Sequence, residues 1–325
     1  PVAMGARKIA PELAAGCACV VKPAEQTPLS MLALARVLAD QGVPAGVVNV
    51  VTTADPAAVM TPLILDDRSR KLSFTGSTGV GKQLLAQCAH TVMRTSMELG
   101  GNAPLLVFDD ADLDEAVEGA LAAKMRNIGQ ACTAANRILV QRGVAEVFAR
   151  RLAERMAALP MGRGTEPGVV VGPLIDAEAV AKVRRLVDDA RARGATALIG
   201  ATVADGPGTF YPATVLVDVP DDAELCRTEI FGPVAAIGVF DTEDEAVRRA
   251  NDTPYGLVSY VFTENLRRGL RVCEALETGM VGLNQGVVSN PAAPFGGVKE
   301  SGLGREGGPT GIDEFLETKY IGVRL

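Results

Sequence analysis

The stretch KLSFTGSTGVGKQLLAQCAH, residues 71–90, decides the fold class of this chain. Residues 71–77 have the short apolar pattern of a strand, and residues 80–90 have helical spacing. Outward from this stretch, predicted helices and strands alternate through residues 2–99. Among them, CACVVKP, residues 17–23, is predicted to be a strand covered on both faces, followed by a helix that Thr27 caps. Strands that alternate with helices form parallel βαβ units, so the sequence predicts an α/β fold.

The Gly-rich turn GSTGVG, residues 76–81, joins the predicted strand and helix. Backbone N–H groups at such a helix start can bind a phosphate. The spacing is G-x-x-G-x-G, however, and differs from the G-x-G-x-x-G of dinucleotide sites. A simple turn with Ser77 or Thr78 as the helix cap explains the pattern equally well, so both interpretations stay open.

Residues 101–300 repeat the alternation with longer amphipathic helices and predict a second α/β domain. The tail EFLETKYIGVRL, residues 314–325, has the pattern of a terminal strand without a neighbouring strand in the sequence. An exposed strand of this kind can extend the sheet of another subunit. We therefore expect a homo-oligomer.

Composition excludes several classes of function. The chain has 325 residues, of which 48% are hydrophobic and 22% charged, which suits a packed globular protein rather than a disordered one. The net charge of −7 argues against a nucleic-acid-binding surface, and no apolar stretch is long enough to cross a bilayer. The first apolar run has basic residues inside it rather than ahead of it, unlike a signal peptide. We expect a cytoplasmic protein with reduced cysteines, no metal site, and neither a nucleic acid nor a membrane as partner.

Cys132, in NIGQACTAANR, is the candidate nucleophile among six cysteines. Small residues surround it, and a position at a helix start would lower its thiol pKa; a buried core cysteine is the alternative. The single histidine, His90, is expected to be solvated at a helix end, so any general base is a carboxylate, a lysine or water. This shortage of histidine also argues against a cysteine-dependent acyltransferase or thiolase. Glu98 in MELGGNAP and Glu229 in RTEIFGPV are the candidate carboxylates, with ordinary solvated glutamates as the alternative for both.

Five separated motifs, FTGST, MELGGNAP, GQACTAANR, EIFGP and PFGGVKESGLGRE, closely resemble the aldehyde dehydrogenase superfamily, and the match runs over residues 1–325. The resemblance implies that Cys132 attacks an aldehyde to form a thiohemiacetal, and that hydride then passes to NAD(P). It also implies that Glu98 activates the water that hydrolyses the resulting thioester. The cofactor-binding residues that it implies are Lys22, Glu25, Gly76, Ser77, Glu229 and Phe231. Glu25 would repel a 2′-phosphate and slightly favours NAD over NADP.

The tail GVVSNPAAPFGGVKESGLGREGGPTGIDEFLETKY is similar to the succinate-semialdehyde dehydrogenase branch of that family. This branch implies that Arg7, Arg126 and Ser289 bind the substrate carboxylate, and the guanidinium fork suits that group. For Arg126, a charge on a helix surface is the alternative. Glutarate semialdehyde or a general aliphatic aldehyde is the alternative substrate, and a non-catalytic structural or binding role is an alternative of another class.

The family implies three segments: a Rossmann-type cofactor domain at 1–100, a catalytic domain at 101–300, and a return to the cofactor domain with an oligomerisation strand at 301–325. We expect the cofactor domain to be incomplete, because the family's N-terminal part and its oxyanion asparagine would precede Pro1. Some members carry a second cysteine two residues after the nucleophile as a redox switch. Ala134 stands at that position here, so no such switch is expected. A homodimer or homotetramer is the expected assembly.

Overall fold

The computed structural model describes residues 2–203 and 206–325, which form two compact units. The first unit holds the residues up to Leu99 together with 289–296 and 302–325. The second unit holds Gly100–Val288 and 297–301. Each unit alternates helices and strands, which confirms the predicted α/β class.

The helices are α1 Val2–Ala14, α2 Leu29–Asp40, α3 Pro56–Leu65, α4 Thr78–Cys88, α5 Leu113–Met125, α6 Ala145–Ala157, α7 Ala177–Ala192, α8 Glu224–Arg227, α9 Glu243–Asn251 and α10 Leu266–Ala275. The strands are β1 Cys19–Val21, β2 Val48–Val50, β3 Lys71–Thr75, β4 Arg94–Glu98, β5 Ala103–Val107, β6 Ala135–Gln141, β7 Thr196–Ile199, β8 Thr214–Val217, β9 Val234–Phe240, β10 Tyr255–Gly256, β11 Val258–Phe262, β12 Met280–Leu283, β13 Val298–Lys299 and β14 Gly302–Leu303. Short 3₁₀ turns span Ala89–Thr91, Arg126–Gly129, Arg142–Val144 and Asp313–Phe315.

The first unit contains two small sheets. In one, β1 pairs with β2 in parallel; in the other, β4 lies between a parallel β3 and an antiparallel β14. The prediction that β1 is covered on both faces is wrong, because its central residue Val20 is 46% exposed. Pro28 rather than Thr27 occupies the N-cap of α2, without a side-chain hydrogen bond. His90 is exposed at the end of α4, as expected.

The second unit is built on one seven-stranded sheet with the order β12-β11-β5-β6-β9-β8-β7. Neighbouring strands are parallel except β7 and β8. Successive side chains of a strand point to opposite faces, so Leu105 and Ile138 pack under α5, α6 and α7, whereas Leu106 and Leu139 pack under α9 and α10. The predicted pattern of parallel strands and crossover helices is confirmed here, and α10 and β12 are elements that the sequence reading missed.

The C-terminal tail after Phe315 forms no hydrogen-bonded strand with any described residue of this chain. Tyr320, Ile321 and Val323 are largely exposed there. Its pairing with another subunit stays a prediction. Within the described ranges, no helix has both the length and the apolar character that crossing a bilayer requires.

Candidate active site

The Gly-rich turn of the first unit is a helix cap. Ser77 occupies the N-cap of α4, and its Oγ accepts a hydrogen bond from the Val80 backbone N–H at 3.4 Å. The Gly76 N–H donates to the Glu98 carbonyl oxygen at 3.1 Å, which ties the turn to the end of β4. A Cβ added at Gly79 would meet nothing within 4 Å, so the helix start is sterically open. Of the two interpretations, the structure shows the cap, and pyrophosphate binding stays a prediction.

Glu98, the last residue of β4, is 3% exposed. Burial, followed by the nearby charge of Glu306, raises its pKa to about 8, although Lys8, Arg305 and Arg7 oppose the shift. Its Oε2 has no hydrogen-bond partner among the described residues. A carboxylate in this state can take up a proton near neutral pH, which is what a general base requires.

A buried ion pair, which the sequence did not predict, lies next to Glu98. Lys8 on α1 pairs with Glu306, and its Nζ also donates to Thr75 Oγ1 at 2.8 Å. Glu306 is 5% exposed and belongs to the PFGGVKESGLGRE motif. Gly296 of the same motif lies so close that a Cβ there would be 2.9 Å from Glu98 Oε1. Gly296 and Glu306 of this motif therefore lie next to the candidate base.

Arg7 and Ser289 lie together in the first unit, although 282 positions separate them in the sequence. Arg7 Nη2 donates to Ser289 Oγ at 2.6 Å, and the guanidinium carbon lies 4.2 Å from the centre of the Phe295 ring. Arg7 Nη1 is buried without a hydrogen-bond partner among the described residues. A buried guanidinium N–H without an acceptor is costly unless a ligand supplies one.

Lys22 and Glu25 form an ion pair in the first unit with a nitrogen–oxygen distance of 3.6 Å. The Glu25 side chain is 37% exposed and the Lys22 side chain 18%. The acidic side chain is thus accessible to a ligand.

Cys132 lies in the second unit, in a turn between the 3₁₀ segment Arg126–Gly129 and β6. Cys132 does not lie at a helix start, because the chain passes directly from this turn into a strand. Cys132 is partly exposed, unlike a core cysteine. The turn is anchored by Tyr260, whose hydroxyl donates to the Thr133 carbonyl at 2.7 Å. Gly101 also packs against this turn, so closely that a Cβ on Gly101 would lie 2.3 Å from the Cys132 carbonyl oxygen.

The segment that leads to Cys132 has a left-handed backbone. Asn127, Ile128 and Gly129 have φ of 49°, 52° and 77°. A β-branched residue in this region is strained, and Ile128 is held there by its burial at 6% exposure. At Gly129 a Cβ would lie 2.1 Å from the Gly232 carbonyl oxygen, so only glycine fits. Arg126 precedes this run and is exposed, which suits either a ligand contact or a surface charge.

Glu229 is partly buried in the second unit, and its Oε1 accepts a hydrogen bond from the Gly101 N–H at 3.0 Å. Burial raises its pKa, which this hydrogen bond and the charges of Lys182 and Lys124 partly offset. Phe231, two residues later, has a φ of 56° and is 36% exposed.

Three of the sequence motifs meet in one hydrogen-bond network of the second unit. Asn136 of GQACTAANR donates to Asn102 Oδ1 at 3.0 Å, and its own Oδ1 accepts from the Ile230 N–H at 2.9 Å. Asn102 of MELGGNAP donates in turn to the Cys226 carbonyl at 2.9 Å. These buried amides hold the segments that carry Cys132 and Glu229 in place.

The sequence and the fold of this chain are similar to those of known proteins. Residues 1–321 match the model of the Aldehyde dehydrogenase family. A succinate-semialdehyde dehydrogenase of Paenarthrobacter nicotinovorans is 55% identical over 99% of this chain and 72% of its own length. A glutarate-semialdehyde dehydrogenase of Pseudomonas putida is 51% identical over 99% of this chain and 66% of its own. The crystal structure of an NADP-dependent enzyme from E. coli superposes with a TM-score of 0.97 at 52% identity, covering 99% of this chain and 66% of that one. The chain thus spans about two thirds of the length of such relatives.

Proposed function

The chain belongs to the aldehyde dehydrogenase family, and on this premise we propose that the whole protein oxidises succinate semialdehyde to succinate with a nicotinamide dinucleotide. The observation that carries the substrate assignment is the Arg7–Ser289 pair. A buried guanidinium N–H that lacks an acceptor, beside a serine hydroxyl, matches the geometry and charge of a carboxylate. Arg126 is the second guanidinium that we assign to this carboxylate.

The reaction starts with attack of the Cys132 thiolate on the aldehyde carbon, which gives a thiohemiacetal. Bound NAD(P)+ supplies the hydride acceptor that converts this adduct into a thioester. Glu98 then takes a proton from water as that water attacks the thioester, which releases succinate and the Cys132 thiol. The raised pKa of Glu98 supports this role, because a base with a pKa of about 8 binds a proton strongly and still ionises near neutral pH.

The residues of the chain fit a dinucleotide. The open start of α4, next to the N-cap Ser77, offers backbone N–H groups of its first turn to the pyrophosphate. Gly76 is assigned to the same turn, although its own N–H is bonded to the Glu98 carbonyl. Glu229 and Phe231 are assigned to the nicotinamide ribose, and Glu229 can present its carboxylate as an acceptor for hydroxyls. We assign Lys22 and Glu25 to the adenosine ribose, and the partial exposure of the Glu25 carboxylate supports this assignment.

NAD is the proposed cofactor in preference to NADP. The carboxylate of Glu25 is partly exposed and would lie against a 2′-phosphate, which like charge disfavours. Glu25→Gln is the matched variant, since it keeps the shape and removes the charge. We expect it to improve kcat/KM with NADP relative to NAD. An unchanged ratio would show that Glu25 does not discriminate.

Glutarate semialdehyde is the second candidate substrate, because a relative named as a glutarate-semialdehyde dehydrogenase is 51% identical, as similar as relatives named as succinate-semialdehyde dehydrogenases at 49–50%. Turnover of both semialdehydes and of butyraldehyde, followed by the absorbance of the reduced nicotinamide, separates the candidates. Arg7→Ala should raise KM for the semialdehyde about tenfold or more, since a charge-assisted contact is worth about 1.5–3 kcal/mol. KM for butyraldehyde, which has no carboxylate, should stay unchanged. Absence of reduced nicotinamide with both cofactors, beside a Cys132→Ser control, would overturn the proposal.

We assign the exposed tail after Phe315 to contact with a second copy of the protein, as a homodimer or homotetramer. Tyr320, Ile321 and Val323 supply the apolar surface. Replacing all three by serine should lower the molar mass measured by light scattering. A mass that stays unchanged would count against this assignment.

A further inference from the structure

Lys124 is a buried lysine to which the proposed reaction gives no role. It lies in the last turn of α5, is 0% exposed, and its Nζ lies 3.4 Å from the Gly232 carbonyl oxygen. Burial lowers its pKa to about 7, and the charge of Glu229 opposes that shift. A methionine would fill the same space without the cost of burying an amine. The amine therefore needs an explanation in its surroundings.

The Gly232 carbonyl is the first part of that explanation. The backbone of Gly129 packs against the same oxygen so closely that a Cβ would lie 2.1 Å from it. Gly129 is the end of the left-handed segment that leads into Cys132. One carbonyl thus touches the lysine and the nucleophile segment together.

Glu229 provides a second link between the Gly232 segment and Cys132 within the second unit. It lies three residues before Gly232, and its carboxylate accepts the Gly101 N–H. Gly101 in turn packs on the Cys132 carbonyl oxygen. The Glu229–Gly232 segment therefore contacts the Cys132 segment directly at Gly232 and indirectly through Gly101. Lys124 lies at the direct contact and interacts electrostatically with Glu229.

We propose that Lys124 is a positioning residue for the nicotinamide end of the cofactor: its ammonium holds the Gly232 carbonyl and keeps Glu229 ionised to accept the ribose hydroxyls. This inference rests on the proposed function, because it uses the role of Glu229 in cofactor binding. The lysine touches neither substrate nor cofactor in this account and acts through the Glu229–Gly232 segment.

The expected pH dependence of cofactor binding follows from the charged groups around Lys124 and Glu229. Glu229 faces Lys124 from the segment after α8, and Lys182 faces Glu229 from α7. The ion pairs between α5 and α6, Arg151 with Asp114 and Arg155 with Glu118, are solvent-exposed. Because the pKa of Lys124 is lowered, its charge is present below neutral pH and lost above it. Glu229, whose pKa is raised, needs that charge at the same low pH, where it would otherwise take up a proton.

The test measures the dissociation constant of the reduced cofactor from its fluorescence, in the full-length protein, at about pH 6 and about pH 8.5. Lys124→Met removes both charge and donor, and Lys124→Gln keeps a donor without the charge. We expect both variants to bind about tenfold more weakly than the wild type at the lower pH, with Lys124→Gln close to the wild type at the higher pH. In a Glu229→Gln background, Lys124→Gln should add no pH-dependent loss.

The outcomes distinguish failure of the proposed function from failure of the Lys124 inference. A wild-type protein that binds no cofactor, or a Glu229→Gln variant that binds like the wild type, overturns the proposed function. The Lys124 inference alone is overturned if these two proteins behave as expected but the Lys124 variants show no pH-dependent loss. That result would be cofactor dissociation constants that match the wild type at both pH values, or that rise by the same factor at both. Thermal unfolding shows whether each variant folds, and Lys124→Gln decides the question if Lys124→Met does not.

Discussion

Replacing Glu98 by glutamine should make the protein more stable, and the gain should grow as the pH rises. Glu98 is 3% exposed, and its pKa rises from 4.5 to about 8 in the folded state. The difference of about 3.5 units (8 − 4.5) corresponds to about 5 kcal/mol at about 1.36 kcal/mol per unit. Between these two pKa values the folded state binds more protons than the unfolded state. Stability therefore falls as the pH rises from 4.5 to 8, and Glu98 imposes its full cost above that window.

The assay is chemical denaturation of the wild type and Glu98→Gln at about pH 5 and about pH 9. The advantage of the variant in free energy of unfolding should widen between the two by several kcal/mol, with about 5 kcal/mol as the upper limit. Glu154→Gln is the matched control, since Glu154 is exposed on α6 and its replacement should leave the pH dependence unchanged. An advantage of Glu98→Gln that stays constant or shrinks with pH would refute the reasoning that burial raises the pKa of Glu98.

Further predictions concern the charge, the backbone and the buried amides. Glu306→Gln removes the like charge that helps to raise the pKa of Glu98, so the midpoint of the pH–rate profile should move to lower pH; an upward move would contradict this. Val92→Gly should stabilise the protein by about 1 kcal/mol in urea denaturation, because this residue has a φ of 53° and is 90% exposed. Asn136→Ala leaves buried partners such as the Ile230 N–H unsatisfied and should cost about 3 kcal/mol in the same assay; a loss below about 1 kcal/mol would mean that water replaces the amide.

The sequence predicted most of the helices and strands, although not α10 and β12, because hydrophobic periodicity is local. The strand–turn–helix of residues 71–90 appears as β3, a turn and α4, with Ser77 as the cap. Prediction from the sequence was wrong where tertiary contacts override the local pattern. Nothing in NIGQACTAANR indicates a left-handed backbone at Ile128, which burial of the side chain enforces. The same backbone placed Cys132 in a turn rather than at a helix start.

The candidate site likewise contains residues that local motifs predict and residues that they do not. Cys132, Glu98 and Glu229 stood out by motif, whereas the Arg7–Ser289 contact required the family resemblance, since no local rule pairs residues 282 positions apart. Lys124 was missed because one lysine in an alanine-rich amphipathic helix is normally a solvated charge. Its burial is a property of how α5 packs, which composition does not encode.

Buried ionisable groups that lower stability are found in both units, and their distribution argues for a functional origin. In the first unit Glu98 lies buried with a pKa raised by burial and by a like charge, and Arg7 buries an N–H without an acceptor among the described residues. In the second unit Lys124 is fully buried, with its pKa lowered. Apolar side chains at these positions would remove the desolvation cost, since a core gains nothing from an isolated charge. That each lies on or against a motif segment, rather than scattered through the sheet core, is expected if binding and catalysis rather than folding selected them.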